Sequence, residues 1–239
     1  MNTIKFNKGN VKMVAHRGVS GLECENTCAA FVAAGNRSYY GIECDTHMTT
    51  DGKFVIIHDR NTQRVSGIFA KVEEGDASVL AGIRLYDMEE GVTRSDLSIP
   101  SLKEYAHICH RYEKISVLEL KGEINEEACQ KIVNELQAEN QLEQTVFISF
   151  SKDNCLNMRK LLPEATIQFL ISEWDDSLLE WLADNRLDLD INHRAVTKEL
   201  VEQLHAKGLE INCWTVNAPE RGEELAAMGV DYITTNILE

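Results

Sequence analysis

The stretch Val11-Lys12-Met13-Val14-Ala15-His16-Arg17-Gly18 shows the construction on which the fold is read: a short apolar run that stops abruptly in ionisable residues. The same construction recurs along the chain. Gly41-Ile42-Glu43-Cys44-Asp45 carries two acids within a strand-like run, and residues 116–121 carry Glu119 and Lys121. Asn192 follows the run 187–191, Trp214 lies near the end of 210–216, and Asn236 follows 232–235. With 145–150 and 166–171 these make eight strand candidates, and residues 54–58, ending in His58-Asp59, form an additional one. Helical periodicities separate most of them, at 26–34, 101–112, 125–139, 153–162, 175–184, 197–207 and 219–228, with Pro at starts and Gly at stops. The alternation fits a (β/α)8 barrel of the TIM type and, on periodicity alone, an open doubly wound sheet. Polar residues gathered at the ends of the strands favour the barrel, because there the C-terminal strand ends converge on one face, where active sites are built.

Two places depart from the regular pattern. Residues 52–100 are too long for an ordinary loop, which predicts a small insertion after the second strand, roughly residues 60–98. Its apolar residues Ile68, Phe69, Val72, Val79, Leu80, Ile83, Leu85 and Tyr86 suit a cap packed on the barrel rim. At the other end only Ile237-Leu238-Glu239 follow Asn236, so the eighth helix is missing from the pattern. With no linker-like composition, residues 1–239 read as a single barrel domain.

Composition narrows the partners. There are 39 acidic against 24 basic residues, a net charge of −15, and such a surface repels DNA, RNA and anionic membranes. No apolar run approaches the ~20 residues a membrane span requires, so stable membrane insertion is not expected. The seven cysteines are odd in number and scattered, which predicts reduced thiols in a cytoplasmic protein rather than disulfides or zinc.

The chemistry is concentrated in few residues. Glu43 and Asp45 are two apart, so on a strand both carboxylates point the same way, and Glu119 and Lys121 repeat that spacing. Three oxygen donors without a thiol cluster favour one hard divalent cation, Mg²⁺ or Ca²⁺. The competing reading is an internal salt-bridge network in which Arg17 and Lys121 neutralise the acids. His16 and His58 suit a general acid–base pair, against which stands a pair of core histidines bonded to backbone. His107, His110 and His205 read as surface or packing residues, with His193 a weak candidate.

These residues resemble the glycerophosphodiester phosphodiesterase family. The matching pieces include His16-Arg17-Gly18, Glu25-Asn26-Thr27, Ile42-Glu43-Cys44-Asp45, Thr49-Thr50-Asp51-Gly52, His58-Asp59, Ile99-Pro100-Ser101-Leu102, Leu118-Glu119-Leu120-Lys121 and Trp214-Thr215-Val216-Asn217, in the family's order. The resemblance implies a TIM barrel with an insertion after the second strand. It also implies hydrolysis of a small-molecule substrate such as glycerophosphocholine or glycerophosphoethanolamine to glycerol 3-phosphate and an alcohol. By position, Glu43, Asp45 and Glu119 are the implied metal ligands, His16 and His58 the acid–base pair, and Arg17 and Lys121 phosphate contacts, with Trp214 a further substrate-binding candidate. The sequence departs from the family pattern at Cys24, in place of the usual Pro, and at Asn236, in place of the usual Asp. A non-catalytic phosphodiester-binding module, a lysophospholipase D-type activity and another metal-dependent barrel enzyme such as an aldolase remain as alternatives. A homo-oligomer is also left open.

Overall fold

The computed structural model describes residues 2–88 and 91–239. Its strands are β1 (Lys12–Ala15), β2 (Gly41–Met48), β3 (Phe54–Ile56), β4 (Arg84–Tyr86), β5 (Thr93–Ser98), β6 (Ile115–Leu120), β7 (Thr145–Ser149), β8 (Thr166–Ile171), β9 (Asp188–Asn192), β10 (Ile211–Trp214) and β11 (Tyr232–Thr235). The helices are α1 (Cys28–Gly35), α2 (Gln63–Ser66), α3 (Ala77–Ala81), α4 (Leu102–Arg111), α5 (Glu126–Ala138), α6 (Lys152–Leu161), α7 (Leu178–Asp184), α8 (Lys198–Ala206) and α9 (Pro219–Met228). Eight strands pair in parallel in the order β1-β2-β6-β7-β8-β9-β10-β11, and β1 pairs with β11 to close the barrel. The expected (β/α)8 architecture is therefore the one observed.

Strand periodicity builds both layers of the core. Ile42 and Cys44 of β2, Leu118 and Leu120 of β6, Phe147 of β7 and Leu189 and Ile191 of β9 belong to the large core shared with the helices. The alternate positions Val14, Val117, Val146, Ile148, Leu170 and Tyr232 form a separate cluster. A two-residue period sends alternate side chains to opposite faces of a strand, so this second cluster fills the barrel interior. Glu43, Asp45, Glu119, Asp190 and Asn212 fall in the same interior phase as those valines, and all five are buried. The polar residues inside the barrel are placed by the same alternation that places its core.

Helix starts follow local capping chemistry. The helix expected from Asn26 begins instead at Cys28, because Asn26 has φ +54° and Thr27 accepts from the Ala30 N–H as N-cap. Ser101 and Glu104 close a reciprocal capping box at α4. β2 runs three residues past Asp45 because β3 pairs antiparallel with its end, Thr46 opposite Ile56 and Met48 opposite Phe54.

The insertion holds α2, α3 and the antiparallel pair β4–β5. Val65, Val72, Leu80, Ile83, Leu85 and Leu97 pack there with Val55 and Ile57, and Cys24 joins them from the β1–α1 loop. This core joins the segment to the end of β3 and to the β1–α1 loop. Of its other apolar residues, Ile68, Phe69 and Val79 are exposed.

Among the described residues no helix follows β11. Residues 237–239 instead meet the N-terminal segment: the Ile4 N–H donates to Ile237 O at 3.0 Å and the Glu239 N–H to Ile4 O at 2.8 Å. Leu238 is fully buried in the main core, and Glu239 accepts from the Ser38 N–H and pairs with Lys5.

At the opposite end of β9 from the strand-end polar cluster, Asp188 accepts from the Glu210 N–H at 2.8 Å. Burial, then the nearby charges of Glu210 and Asp231, push its carboxyl up to about 6. The folded state thus holds a proton that the unfolded chain loses near pH ~4, and stability falls as pH rises between these values. Asp188→Asn, which keeps the acceptor, should stabilise the protein at pH 7 by up to about 3 kcal/mol and leave it unchanged at pH 3.5. Urea denaturation at both pH values checks this.

Candidate active site

At the end of β1 the chain turns sharply. Arg17 has φ +54° and Gly18 φ +78°, and a Cβ on Gly18 would lie 2.6 Å from that of Ala30, so only glycine fits. The turn aims the Arg17 N–H at Glu43 Oε2, 2.7 Å away, and brings Arg17 Nη1 to Glu25 at 2.9 Å.

Glu43 and Asp45 share one face of β2, and the register sets Asp45 directly beside Glu119 on β6. Oxygens from the three carboxylates lie within 4.8 Å of one another, all three residues being buried. Lys121 Nζ reaches Glu119 at 2.7 Å and Asp45 at 3.1 Å. Asn26 Nδ2 donates to Asp45 Oδ2 at 2.7 Å, and Arg17 Nε stands 3.4 Å from the same oxygen.

The electrostatics divide the trio. Burial raises the Asp45 carboxyl, but Lys121 and Arg17 outweigh it and hold Asp45 well below the usual range. Burial, followed by repulsion from Asp45 and Glu119, pushes Glu43 well up. Burial and Asp45 push Glu119 up to about 8, against the pull of Lys121. Three convergent carboxylates therefore face two side-chain cations, one of which, Arg17, is shared with Glu25. An all-oxygen donor set short of positive charge fits a hard divalent cation. Among the described residues it is the cluster with metal-ligand geometry, and no cysteine belongs to it. The salt-bridge and ligand readings thus both have a structural counterpart: Lys121 pairs with Asp45 and Glu119, and among the described residues no side-chain cation lies in hydrogen-bond reach of Glu43.

The two histidines flank this cluster in different hydrogen-bonded settings. His16 Nδ1 lies 2.7 Å from Asn236 Oδ1, an acceptor, so the proton sits on Nδ1 and the Nε2 lone pair faces Glu43, 4.0 Å away. Burial, then Arg17, lowers His16 to about 4, so it is neutral at physiological pH. His58 is more open; its Nδ1 donates to Asp59 Oδ1 at 2.8 Å, and Arg64 Nε donates to Asp59 Oδ2 at 2.6 Å. Burial lowers His58, with Asp45 and Asp59 opposing. Arg64 also grips Glu25 through both terminal nitrogens, tying the insertion to the Arg17 turn.

His16, Arg17, Glu43, His58, Glu119 and Lys121 line one cavity of about 180 Å³, and Trp214 forms part of its far wall. Asp45 lies beneath, in contact with Lys121 and Arg17. All eight residues singled out from the sequence therefore meet at one end of the barrel. His193 lies outside the cavity beside Arg221, while His107 pairs with Glu139 and His205 with Asp231.

Some residues were not anticipated. Asp190 of β9 lines the cavity, and its two-residue spacing from Asp188 and Asn192 is the same signal that marked Glu43 and Asp45. His47 is buried, with Nδ1 2.9 Å from Glu73 and Nε2 3.3 Å from the His58 carbonyl oxygen, a connection made across the insertion. Asn26, Asn236 and Arg64 act through contacts between distant segments.

The sequence model of the Glycerophosphoryl diester phosphodiesterase family matches residues 16–239. The chain is 29% identical to a glycerophosphodiester phosphodiesterase of Bacillus altitudinis, with 94% of each chain covered. It is 28% identical to one of Caldanaerobacter subterraneus subsp. tengcongensis, covering 94% of this chain and 93% of the other. Among solved structures, a glycerophosphodiester phosphodiesterase of Thermotoga maritima superposes with a TM-score of 0.78 at 26% identity, with 95% of each chain covered. An Oleispira antarctica phosphodiesterase, solved with its product sn-glycerol-3-phosphate, shares the fold at a TM-score of 0.85 and 24% identity, over 94% of this chain and 92% of the other. The chain belongs to the glycerophosphoryl diester phosphodiesterase family, a family of phosphoric diester hydrolases.

Proposed function

We propose that the protein hydrolyses glycerophosphodiesters such as glycerophosphocholine or glycerophosphoethanolamine to glycerol 3-phosphate and the free alcohol. The observation that carries this reading is the convergence of three buried carboxylates, two cationic side chains and two differently held histidines around one small cavity. The solved Oleispira antarctica relative, which holds glycerol 3-phosphate as product, supports the same substrate class.

Glu43, Asp45 and Glu119 would hold the divalent cation, Mg²⁺ or Ca²⁺, which when bound supplies positive charge against the phosphoryl oxygens. A phosphodiester is a monoanion that gains negative charge in its pentacoordinate transition state. Arg17 and Lys121, already oriented by Glu25, Asp45 and Glu119, stabilise that charge in a partly dehydrated cavity. His16 acts as general base, because Asn236 keeps the proton on Nδ1 and leaves Nε2 free to accept one from the attacking oxygen. His58, held by Asp59, acts as general acid and protonates the departing alkoxide.

The test is release of glycerol 3-phosphate from glycerophosphocholine and glycerophosphoethanolamine with Mg²⁺ or Ca²⁺ present. Product from either diester is expected. Binding of the diesters without product would overturn the reading in favour of a binding module. Lysophosphatidylcholine in the same panel reports any lysophospholipase D-type activity, and the expected rate on it is lower, because the cavity is small and holds three buried acids.

A further inference from the structure

The cavity has two unlike halves. The ionic half carries the histidines, carboxylates and cations, whereas the other half is walled by Ile148, Leu170, Phe150 and Trp214. Two polar atoms on residues lining this cavity, Asp190 Oδ1 and Trp214 Nε1, are buried without a hydrogen-bond partner among the described residues. Asp190 itself is 1% exposed, projects into the barrel interior from β9, and lies on the cavity wall. Unpaired buried polar groups are costly and rare in folded proteins, so such an atom on a residue that lines a cavity points to a ligand that completes it.

A second cavity, of about 420 Å³, shares His58, Glu119, Lys121 and Phe150 with the first but opens among Arg60, Glu123 and Ser151. Its polar, open character suits an alcohol of variable size, on the side where His58 stands. The enclosed half is left for the invariant part of the substrate. Resting on the function proposed above, we infer that Asp190 is a specificity-determining residue that hydrogen-bonds the terminal hydroxyl of the glycerol moiety within the apolar half of the cavity. A hydroxyl both donates and accepts, so it satisfies Asp190 whichever way the proton lies, and the apolar walls make the bond selective by excluding water. The same hydroxyl, or its neighbour on the glycerol, is within the class of partner that the Trp214 N–H lacks.

The chemistry predicts discrimination at the far end of the glycerol and tolerance at the other alcohol. The experiment compares kcat/KM for glycerophosphoethanolamine with that for the diester of propane-1,2-diol, which lacks only the terminal hydroxyl and keeps the one adjacent to the phosphoester carbon. The wild-type enzyme should prefer the glycerol substrate by about 10- to 100-fold, the factor that corresponds to leaving one buried polar group unpaired. In Asp190→Leu the preference should fall to near unity through loss on the glycerol substrate, while Asp190→Asn, which still donates and accepts, should keep most of it. Equal wild-type rates on the two diesters would overturn the inference without any variant, so poor folding of Asp190→Leu does not shield it. An unchanged preference in an active Asp190→Leu would overturn it equally. Hydrolysis of neither diester would instead overturn the phosphodiesterase reading itself, and this inference with it.

Discussion

His58→Ala should lower kcat by about 10²–10⁴-fold on glycerophosphodiesters of ordinary alcohols while leaving KM nearly unchanged. The alkoxide of an aliphatic alcohol is a poor leaving group, and His58 is the more open of the two histidines, facing the polar cavity where that alcohol would depart. Its Nδ1 is fixed on Asp59, itself clamped by Arg64, so Nε2 is the atom presented to substrate. A glycerol diester of p-nitrophenol supplies the control, because that leaving group departs without a proton. His58→Ala should act on it within about tenfold of wild type, since only the proton-transfer contribution has been removed. His16→Ala, lacking the base, should be slow on both substrates. Equal losses of His58→Ala on the two diesters would sink the acid assignment, and near-wild-type turnover on the aliphatic one would sink any catalytic part for His58.

What could be read in advance follows the range of the interactions concerned. Glu43, Asp45 and Glu119 were legible because strand periodicity is local: two residues apart means one face, and neighbouring strands of a barrel share that face. Asp190 obeys the same rule, two residues from Asp188 and Asn192, but its significance becomes visible only beside the apolar wall and the unsatisfied oxygen. The ring-nitrogen settings of the two histidines, from which the proposed base and acid are assigned, depend on Asn236 and Asp59. Asp59 is adjacent in sequence, but Asn236 reaches His16 across 220 residues of chain. The segment between β3 and α4 interrupts the strand–helix alternation, and its short helices and hairpin carry too few residues for periodicity to specify them. The start of α1 was misplaced by two residues because Asn26, which looks like a helix cap, is diverted into the left-handed region to hold Asp45. That residues 237–239 pair with the N-terminal segment could not be read in advance, since one backbone bridge between Ile4 and Leu238 leaves no pattern in composition.

Glu43→Gln should change stability and activity in opposite directions. In the protein without cation, Glu43 is buried among Asp45 and Glu119, and its carboxylate accepts from the Arg17 N–H. The amide keeps an acceptor for that N–H and removes one of three mutually repelling acids, so the variant should melt at a higher temperature than wild type in EDTA. Removing a buried like charge is a stabilising change of about 1 kcal/mol or more. Adding Mg²⁺ or Ca²⁺ should reverse the order. A cation at 100 times its dissociation constant stabilises the folded state by about 2.7 kcal/mol, a gain the wild type should show and the variant should largely lose. Hydrolysis should fall to background in Glu43→Gln at any cation concentration, and in wild type after exhaustive chelation, with recovery when the cation is restored. Thermal melts in EDTA and in each cation, run beside the product assay, separate the two effects. A wild-type melting temperature indifferent to both cations, together with full turnover under chelation, would reduce Glu43, Asp45 and Glu119 to partners of Arg17 and Lys121.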